Sequence, residues 1–479
     1  MQLNLSRRGF LGVSAGFALA GCAAKGPRRV GQLGHKIRLA VVGVMGKGYS
    51  DWMPMVKSGL AEVVAMCDAD ANMRTGAAAA IANERKKGQL PAGFDFDPMK
   101  VPFYTDYREL LDNCVRLGVE AMTVSTPDHV HAPVAIQAMK LGIHVYVQKP
   151  LVRTLWELDY FNRTAREMGV VTQMGNQGHS TVKYHQFKEY VETGLIHDVC
   201  KVVAHMNNAR RWHKWNGQVA SFPPAEPVPA TLDWDTWLGT AAFHDYSKDF
   251  VGGEWRAWYD FGNGCIGDWG AHLIDCVHQF LLQGDLPDAI EVVGQTGTNR
   301  FVYPMNSTLR FSFAANRRHG DFELDWYEGA TNLPPLPSGF VYATPDGIPK
   351  NSANDDAEQV KLFPGKEMYQ RDGTIWQSLS HKHPLHVVGD YERKLPDYPA
   401  ESCTHYEGFL RAVRGEMETL SPFEVAAPLS QLFTLACIAQ RLGRGFAFDK
   451  ASGTIPGDAE ANALLRQAPR RGWEEFYRI

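Results

Sequence analysis

The chain has 479 residues, a formal net charge of −4, 44% hydrophobic residues and 21% charged residues. That size suits two or three domains with ample core. No basic tail or patch stands out, which excludes nucleic acid as the main partner. No apolar run reaches the length of a membrane span. The eight cysteines show no C-x-x-C pair and no regular spacing, so neither a metal site nor a disulfide framework is expected.

At the N-terminus, Arg7 and Arg8 precede a short apolar stretch rich in Gly and Ala, Gly9 to Gly21. It is too short to span a bilayer but fits a cleavable signal. The S-R-R-x-F-L pattern resembles a twin-arginine export signal. Leu19-Ala20-Gly21-Cys22 resembles a bacterial lipobox. The two patterns together imply that Cys22 is lipidated and becomes the first residue of a protein anchored by lipid to the membrane. The expected place is the periplasmic side of the bacterial cell envelope. Residues 1–34 are then signal and tether.

The next unit is expected over 35–151. Ile37, Leu39, Val41 and Val42 have the pattern of a buried strand. A turn with Gly43, Met45, Gly46, Lys47 and Gly48 follows, and a helix from about Tyr49. The turn compares with G-x-G-x-x-G, whose first glycine makes the bend, second admits the pyrophosphate and third lets helix and strand approach. Met45 replaces the second glycine, so either the turn differs or Gly46 takes over. A second strand from Glu62 ends in Asp68, twenty residues after Gly48. An acid there hydrogen-bonds ribose hydroxyls and repels a 2′-phosphate, which favours NAD over NADP. Phe103–Asp106, Ala121–Thr126 and Ile143–Val147 read as further strands, and Tyr107–Asn113 and the residues up to Met139 as helices. Residues 84–102 read as a surface insertion. This alternation predicts an α/β, doubly wound parallel sheet. The last strand stops at Gln148, Lys149 and Pro150. Pro150 has no N–H and pushes Lys149 towards an extended conformation, at the strand end where open parallel sheets bind ligands.

A second domain is expected over 152–479. A helix runs to about Met168, and a strand from Val170 breaks into a Gly-rich loop with Asn176, Gln177 and His179. Seven of the twelve tryptophans fall between 212 and 269: Trp212, Trp215, Trp234, Trp237, Trp255, Trp258 and Trp269. Aromatic faces stack on sugar rings. Most of these rings are expected in the core and two or three in a carbohydrate cleft, with Tyr246, Trp255, Arg256 and Trp258 as candidates. Asp268 and His272, four apart, share one helix face; Asp275 and His278 continue that helix. Strands are expected from Ala289 to about Trp326, and helices over Glu407–Val413 and Ala426–Leu442. Residues 330–400 have no assignment.

S-T-P-D-H-V-H at 125–131, V-Q-K-P-L at 147–151 and D-x-x-x-H at 268–272 together resemble the Gfo/Idh/MocA oxidoreductase family. Its usual tripeptide is E-K-P, and Gln148 here replaces the glutamate. The similarity runs from residue 36 to about 479. It implies an N-terminal Rossmann domain and a C-terminal α+β domain with an open, mostly antiparallel sheet, through which subunits often pair. It also implies that Lys149, Asp268 and His272 are catalytic. Thr126, Pro127, His129, His131, Gln148 and Asn176 then lie along the cofactor, and Gln177 and His179 line the cleft. His272 has the pKa best suited to take the hydroxyl proton. Lys149 can polarise the oxygen, while Asp268 orients His272 or binds the lysine. The expected activity is NAD-dependent hydride transfer at a secondary alcohol of a carbohydrate or glycan, the cofactor being held tightly and recycled. Two alternatives stand: glycoside hydrolysis through transient oxidation and elimination, and a non-catalytic envelope protein that binds sugar. The hydrolytic route needs a second base, for which His179, His129 and Tyr246 are candidates.

Overall fold

The computed structural model describes residues 35–207, 219–340, 362, 364–379, 383–399 and 403–477. Arg7, Arg8, Cys22, Trp212 and Trp215 lie outside the described residues.

The first half alternates strands and helices: β1 Ile37–Val42, α1 Lys47–Lys57, β2 Ala61–Cys67, α2 Asn72–Lys86, β3 Phe103–Tyr104, α3 Tyr107–Leu117, β4 Ala121–Val124, α4 Asp128–Lys140, β5 His144–Val147, α5 Leu155–Met168 and β6 Thr172–Met174. β1, β4 and β5 are almost wholly buried apolar runs, as strands covered on both faces must be. The helices begin where side chains satisfy their first N–H groups. Asp106 caps α3, and Thr154 with Glu157 forms a capping box on α5. The six strands are parallel in the order β3-β2-β1-β4-β5-β6. The order reverses between β1 and β4, so a crevice opens beyond their carboxyl ends.

Two expectations shift. The division expected at residue 151 falls inside this sheet, because β6 pairs with β5 and carries the sheet on to Met174. The stretch read as an insertion over 84–102 begins inside α2. The part after α2 is tied back by Arg74, which donates to the carbonyls of Pro98, Met99 and Val101.

The second half holds α6 Val182–Glu192, β7 Val199–Met206, α7 Trp234–Leu238, α8 Gly264–Leu273, β8 Ala289–Thr296, β9 Asn306–Phe313, β10 Phe322–Glu328, β11 Gly365–Gln370, β12 Ile375–Leu379, β13 Leu385–Val387, α9 His405–Val413, α10 Phe423–Leu442, β14 Phe446–Ala447 and α11 Ala459–Leu465. Eight strands form one sheet, β13-β12-β11-β7-β10-β9-β8-β14, antiparallel except where β7 meets β10. The three strands from the unassigned 330–400 region escape a pattern reading for a physical reason. They bury Lys366, Glu367 and Gln377, and His205 Nε2 sits 3.3 Å from Glu367 Oε1, so apolar alternation is missing. α10 packs on α5 and α8, and α9 on α1. The C-terminal helices therefore return to the first sheet. Against the expectation that no apolar run reaches a membrane span, the 20 residues of α10 are long and apolar enough to cross one, because its few charges sit near its ends; yet 78% of its apolar window is buried inside the protein, as in a core helix.

Candidate active site

A cavity of about 580 Å³ opens at the carboxyl ends of β1, β2, β4 and β5. Its far wall comes from α7, the 252–256 turn and α8. Of the residues expected to bind or react, it is lined by Gly43, Met45, Gly46, Lys47, Asp68, Thr126, Pro127, His131, Gln148, Lys149, Gln177, Trp255, Arg256, Asp268 and His272.

The glycine turn is built by contact. At Gly43 φ is +85°, and a Cβ would stand 2.5 Å from the Ser125 carbonyl oxygen. At Gly48 a Cβ would stand 1.9 Å from the Gly43 carbonyl oxygen. Neither position admits a side chain. Gly48 does not reach the cavity; it lets α1 start against β1. Met45 is tolerated because its side chain lies over Gly76 of α2. Asp68 holds the turn: its Oδ2 accepts the Val44 N–H at 2.9 Å and its Oδ1 the Asp70 N–H at 3.1 Å. Burial pushes its carboxyl up to about 6, against the pull of those two amides.

On the opposite wall Lys149 reaches α8. Its Nζ donates to Asp268 Oδ1 at 2.9 Å and to the Asp268 carbonyl at 2.5 Å. Arg256 Nε donates to the same Oδ1 at 3.2 Å, and its guanidinium lies 4.1 Å from the Trp255 ring centroid. Asp268 therefore binds the lysine, one of the two roles open to it. His272, one turn on, meets Trp269 edge to face at 5.4 Å. An ammonium has three donors, and two of those of Lys149 are used in its contacts with Asp268 among the described residues.

Beneath Gln148 lies a carboxylate with no sequence signal. Asp51 of α1 is fully buried. Its Oδ2 accepts from Ser125 Oγ and Gln148 Nε2, each at 2.8 Å, and Lys47 donates to its Oδ1. Burial raises the Asp51 carboxyl and lowers the Lys47 amine, each opposed by the other's charge. A glutamate at 148 would set two carboxylates together; the glutamine donates instead.

Several expected site residues are elsewhere. His129 is buried, with Nδ1 on the Phe261 carbonyl and Nε2 on the Trp237 carbonyl; burial lowers its pKa to about 3. Asn176 and His179 both bind Asp275 behind the wall, at 2.9 and 2.8 Å. Tyr246 packs edge-on against Trp234, and Trp258 donates to the Asp249 carbonyl from within the core. None of these five lines the cavity. A strand-end loop and a proline-broken aromatic region do not fix side-chain direction, and packing turned these inward. His131 does reach the cavity, but its nitrogens meet the Pro150 and Thr126 carbonyls. Two residues that had been given no role line it too: Asp128, within the S-T-P-D-H-V-H stretch, and Trp237, one of the clustered tryptophans.

Two models of one oxidoreductase family match in succession: the NAD-binding Rossmann fold over residues 37–176, and the C-terminal alpha/beta domain over 180–302. The chain belongs to the Gfo/Idh/MocA oxidoreductase family. Within it, similar curated proteins include glycosyl hydrolase family 109 protein 2 of Akkermansia muciniphila, 27% identical over 234 residues, covering 42% of this chain and 46% of that one. Levoglucosan dehydrogenase of Pseudarthrobacter phenanthrenivorans is 28% identical over 92 residues, covering 19% and 23%. The chain thus spans about half, or less, of the curated relatives it matches. Among solved structures, the WlbA dehydrogenase from Bordetella pertussis, in complex with NADH and UDP-GlcNAcA, superposes with a TM-score of 0.56. It covers 87% of this chain and 99% of that one at 14% identity, which is a likeness of fold.

This Gfo/Idh/MocA chain carries the family's NAD-binding Rossmann domain. Its residues fit that cofactor. The bare Gly43 turn leaves backbone open to a pyrophosphate, and Asp68 stands at the end of β2 where a ribose is held. Thr126 and Pro127 continue the wall towards Lys149.

Proposed function

We propose that this protein transfers hydride between NAD and a secondary alcohol of a carbohydrate, with the cofactor retained and recycled in the cavity. One observation carries the reading: Lys149, Asp268 and His272 line the same cavity as the dinucleotide turn, on its opposite wall. The nicotinamide, when bound, supplies an acceptor for the hydride of a carbinol carbon. His272 takes the hydroxyl proton, and Lys149, held by Asp268, stabilises charge growing on the oxygen. Trp237 and Trp255 offer aromatic surface for a sugar face. The test is to incubate the purified protein with a panel of sugars and methyl glycosides, reading product and cofactor redox state. Purification without added nucleotide, followed by denaturation, should release stoichiometric NAD(H). A protein that binds these sugars and changes none of them is the non-catalytic alternative.

A second reading has its own support. Several similar proteins are named as family 109 glycosyl hydrolases, which favours transient oxidation followed by elimination of the glycosidic group. Release of an aryl group from an aryl glycoside without net cofactor change would select it. The envelope address rests on the N-terminal pattern alone. Replacing Cys22 by Ser should move the protein out of the membrane fraction. Pairing of subunits through the second sheet is a further expectation of the family, read by sedimentation.

A further inference from the structure

Oxidising a ring hydroxyl makes the hydrogens on the adjacent carbon acidic. Any use of that acidity requires a base besides the one that took the hydroxyl proton. The three candidates for that base, His129, His179 and Tyr246, do not reach the cavity. Among the described titratable groups on its wall, Lys47 and Asp68 belong to the dinucleotide turn and its support, while Cys67 at the end of β2 and Tyr107 after β3 lie across the β1–β4 switch from Lys149. His131 holds two backbone carbonyls, and Asp268 is shared by Lys149 and Arg256.

Asp128 remains. It is the first residue of α4, it is 5% exposed, and it lines the cavity beside Lys149. Its Oδ2 accepts the N–H of Asn263 at 3.0 Å, at the start of the segment that carries Asp268. The contact locks the carboxyl between the two domains. The charged groups that act on it are Arg256 from the 252–256 turn, Lys149 after β5 and Asp268 on α8.

We propose that Asp128 is a second acid–base residue, which removes and returns the proton on the carbon next to the oxidised one. The inference rests on the hydride-transfer reading. The starting point is the ketone that hydride transfer would leave, with the hydroxyl proton held by His272. The Asp128 carboxylate then takes the neighbouring C–H proton. The C–H electron pair forms the carbon–carbon double bond of an enolate, and the charge settles on the former ketone oxygen, facing Lys149. When the next carbon bears a glycosidic oxygen, that electron pair expels it. Water adds its hydroxide to the resulting enone and gives its proton to the expelled oxygen, Asp128 returns its own proton to the carbon, and return of the hydride with the proton held by His272 would restore the alcohol. The surroundings of Asp128 favour such a base. Burial pushes its carboxyl up to about 7 despite the two cations, which makes its conjugate base stronger than an ordinary carboxylate near neutral pH.

The experiment uses the full holoprotein in deuterated water with a panel of methyl glycosides. It reads cofactor reduction by absorbance and deuterium on carbon by mass spectrometry, in wild type and in Asp128→Asn, which keeps an oxygen for the Asn263 amide. Wild type should place deuterium on the carbon adjacent to the oxidised one. In the variant the ratio of exchange to cofactor reduction should fall by about 10²-fold or more. Wild-type exchange should rise with pH to a plateau above about 7. An infrared carboxyl band lost between about pH 5 and about pH 9, roughly 2 units either side of that value, should be missing from the variant. Bound NAD content reports whether the variant has folded. Should it not fold, the pH profile and infrared band of wild type decide. Cofactor reduction without exchange in wild type, or exchange at the wild-type ratio in the variant, overturns the inference alone. Failure of every glycoside to reduce the cofactor overturns the hydride-transfer reading, and this inference with it.

Discussion

Two clusters of acid and base lie within two turns of each other, and they do opposite work. Asp268 meets Lys149 and Arg256 on the cavity wall. Asp275, seven residues on, meets His179 and Asn176 behind it, where Tyr184 also hydrogen-bonds His179 at 3.0 Å. Both clusters combine a carboxylate from the α8 segment with a base from the loop after a parallel strand. In sequence the first stands out through the D-x-x-x-H pattern, while Asp275 reads only as continuing the same helix. The difference is the cavity: Lys149, Arg256 and Asp268 line it, whereas Asn176, His179 and Asp275 do not and tie the loop after β6 to the segment after α8. Chemistry therefore follows from access.

The largest break in this comparison is Lys149→Met. Hydride transfer should fall by about 10³-fold or more, since both polarisation and positioning are lost. Single-turnover reduction of bound NAD measures it, and NAD content should be unchanged. His179→Ala is the mirror experiment. Removing one partner of a buried pair costs about 3 kcal/mol of stability. Chemical denaturation should show that loss, and hydride transfer per folded molecule should fall far less than in Lys149→Met. Equal kinetic losses in the two variants would mean that both clusters are catalytic.

Gln148→Glu sharpens the same contrast between a paired and an unpaired carboxylate. It replaces a donor to Asp51 by a like charge, and about 1–3 kcal/mol should be lost near neutral pH. Adding Asp51→Asn should recover part of that loss, a coupling that a double-mutant cycle reads.

The pH dependence has a definite sign. Burial raises Asp128 from 3.8 to about 7, so between those values the folded state holds a proton that the unfolded state has released. Stability from this group is full below about 4, falls by at most about 1.4 kcal/mol per pH unit, and levels off above about 7. Denaturation of wild type and Asp128→Asn at several pH values should show the wild type losing ground across that window only. The smallest effect is expected for Asp68→Asn. It keeps an acceptor but removes the charge, so NAD should bind about tenfold more weakly and discrimination against NADP should drop. Titration with both nucleotides checks it.

Much of the first domain was legible because its signals are local. Apolar strand runs, the glycine turn, the acid after β2 and proline after Lys149 each follow from backbone geometry over a few residues. Asp268 and His272 were legible as a pair from helical spacing. Asp275 and His278, three apart, read only as a continuation of that helix.

Sequence by itself determined the alternation that makes a parallel sheet, the place of Lys149 at a strand end, and the choice of an acid at position 68. Each depends on neighbours only a few bonds away. Tertiary structure alone decided that Gln148 rests on Asp51, that His129 and His179 turn inward, and that Asp128 faces the cavity. It also decided that β6 and the C-terminal helices close the first domain. Those outcomes depend on groups up to several hundred residues apart competing for the same carbonyls and the same buried volume, and local pattern carries no record of that competition.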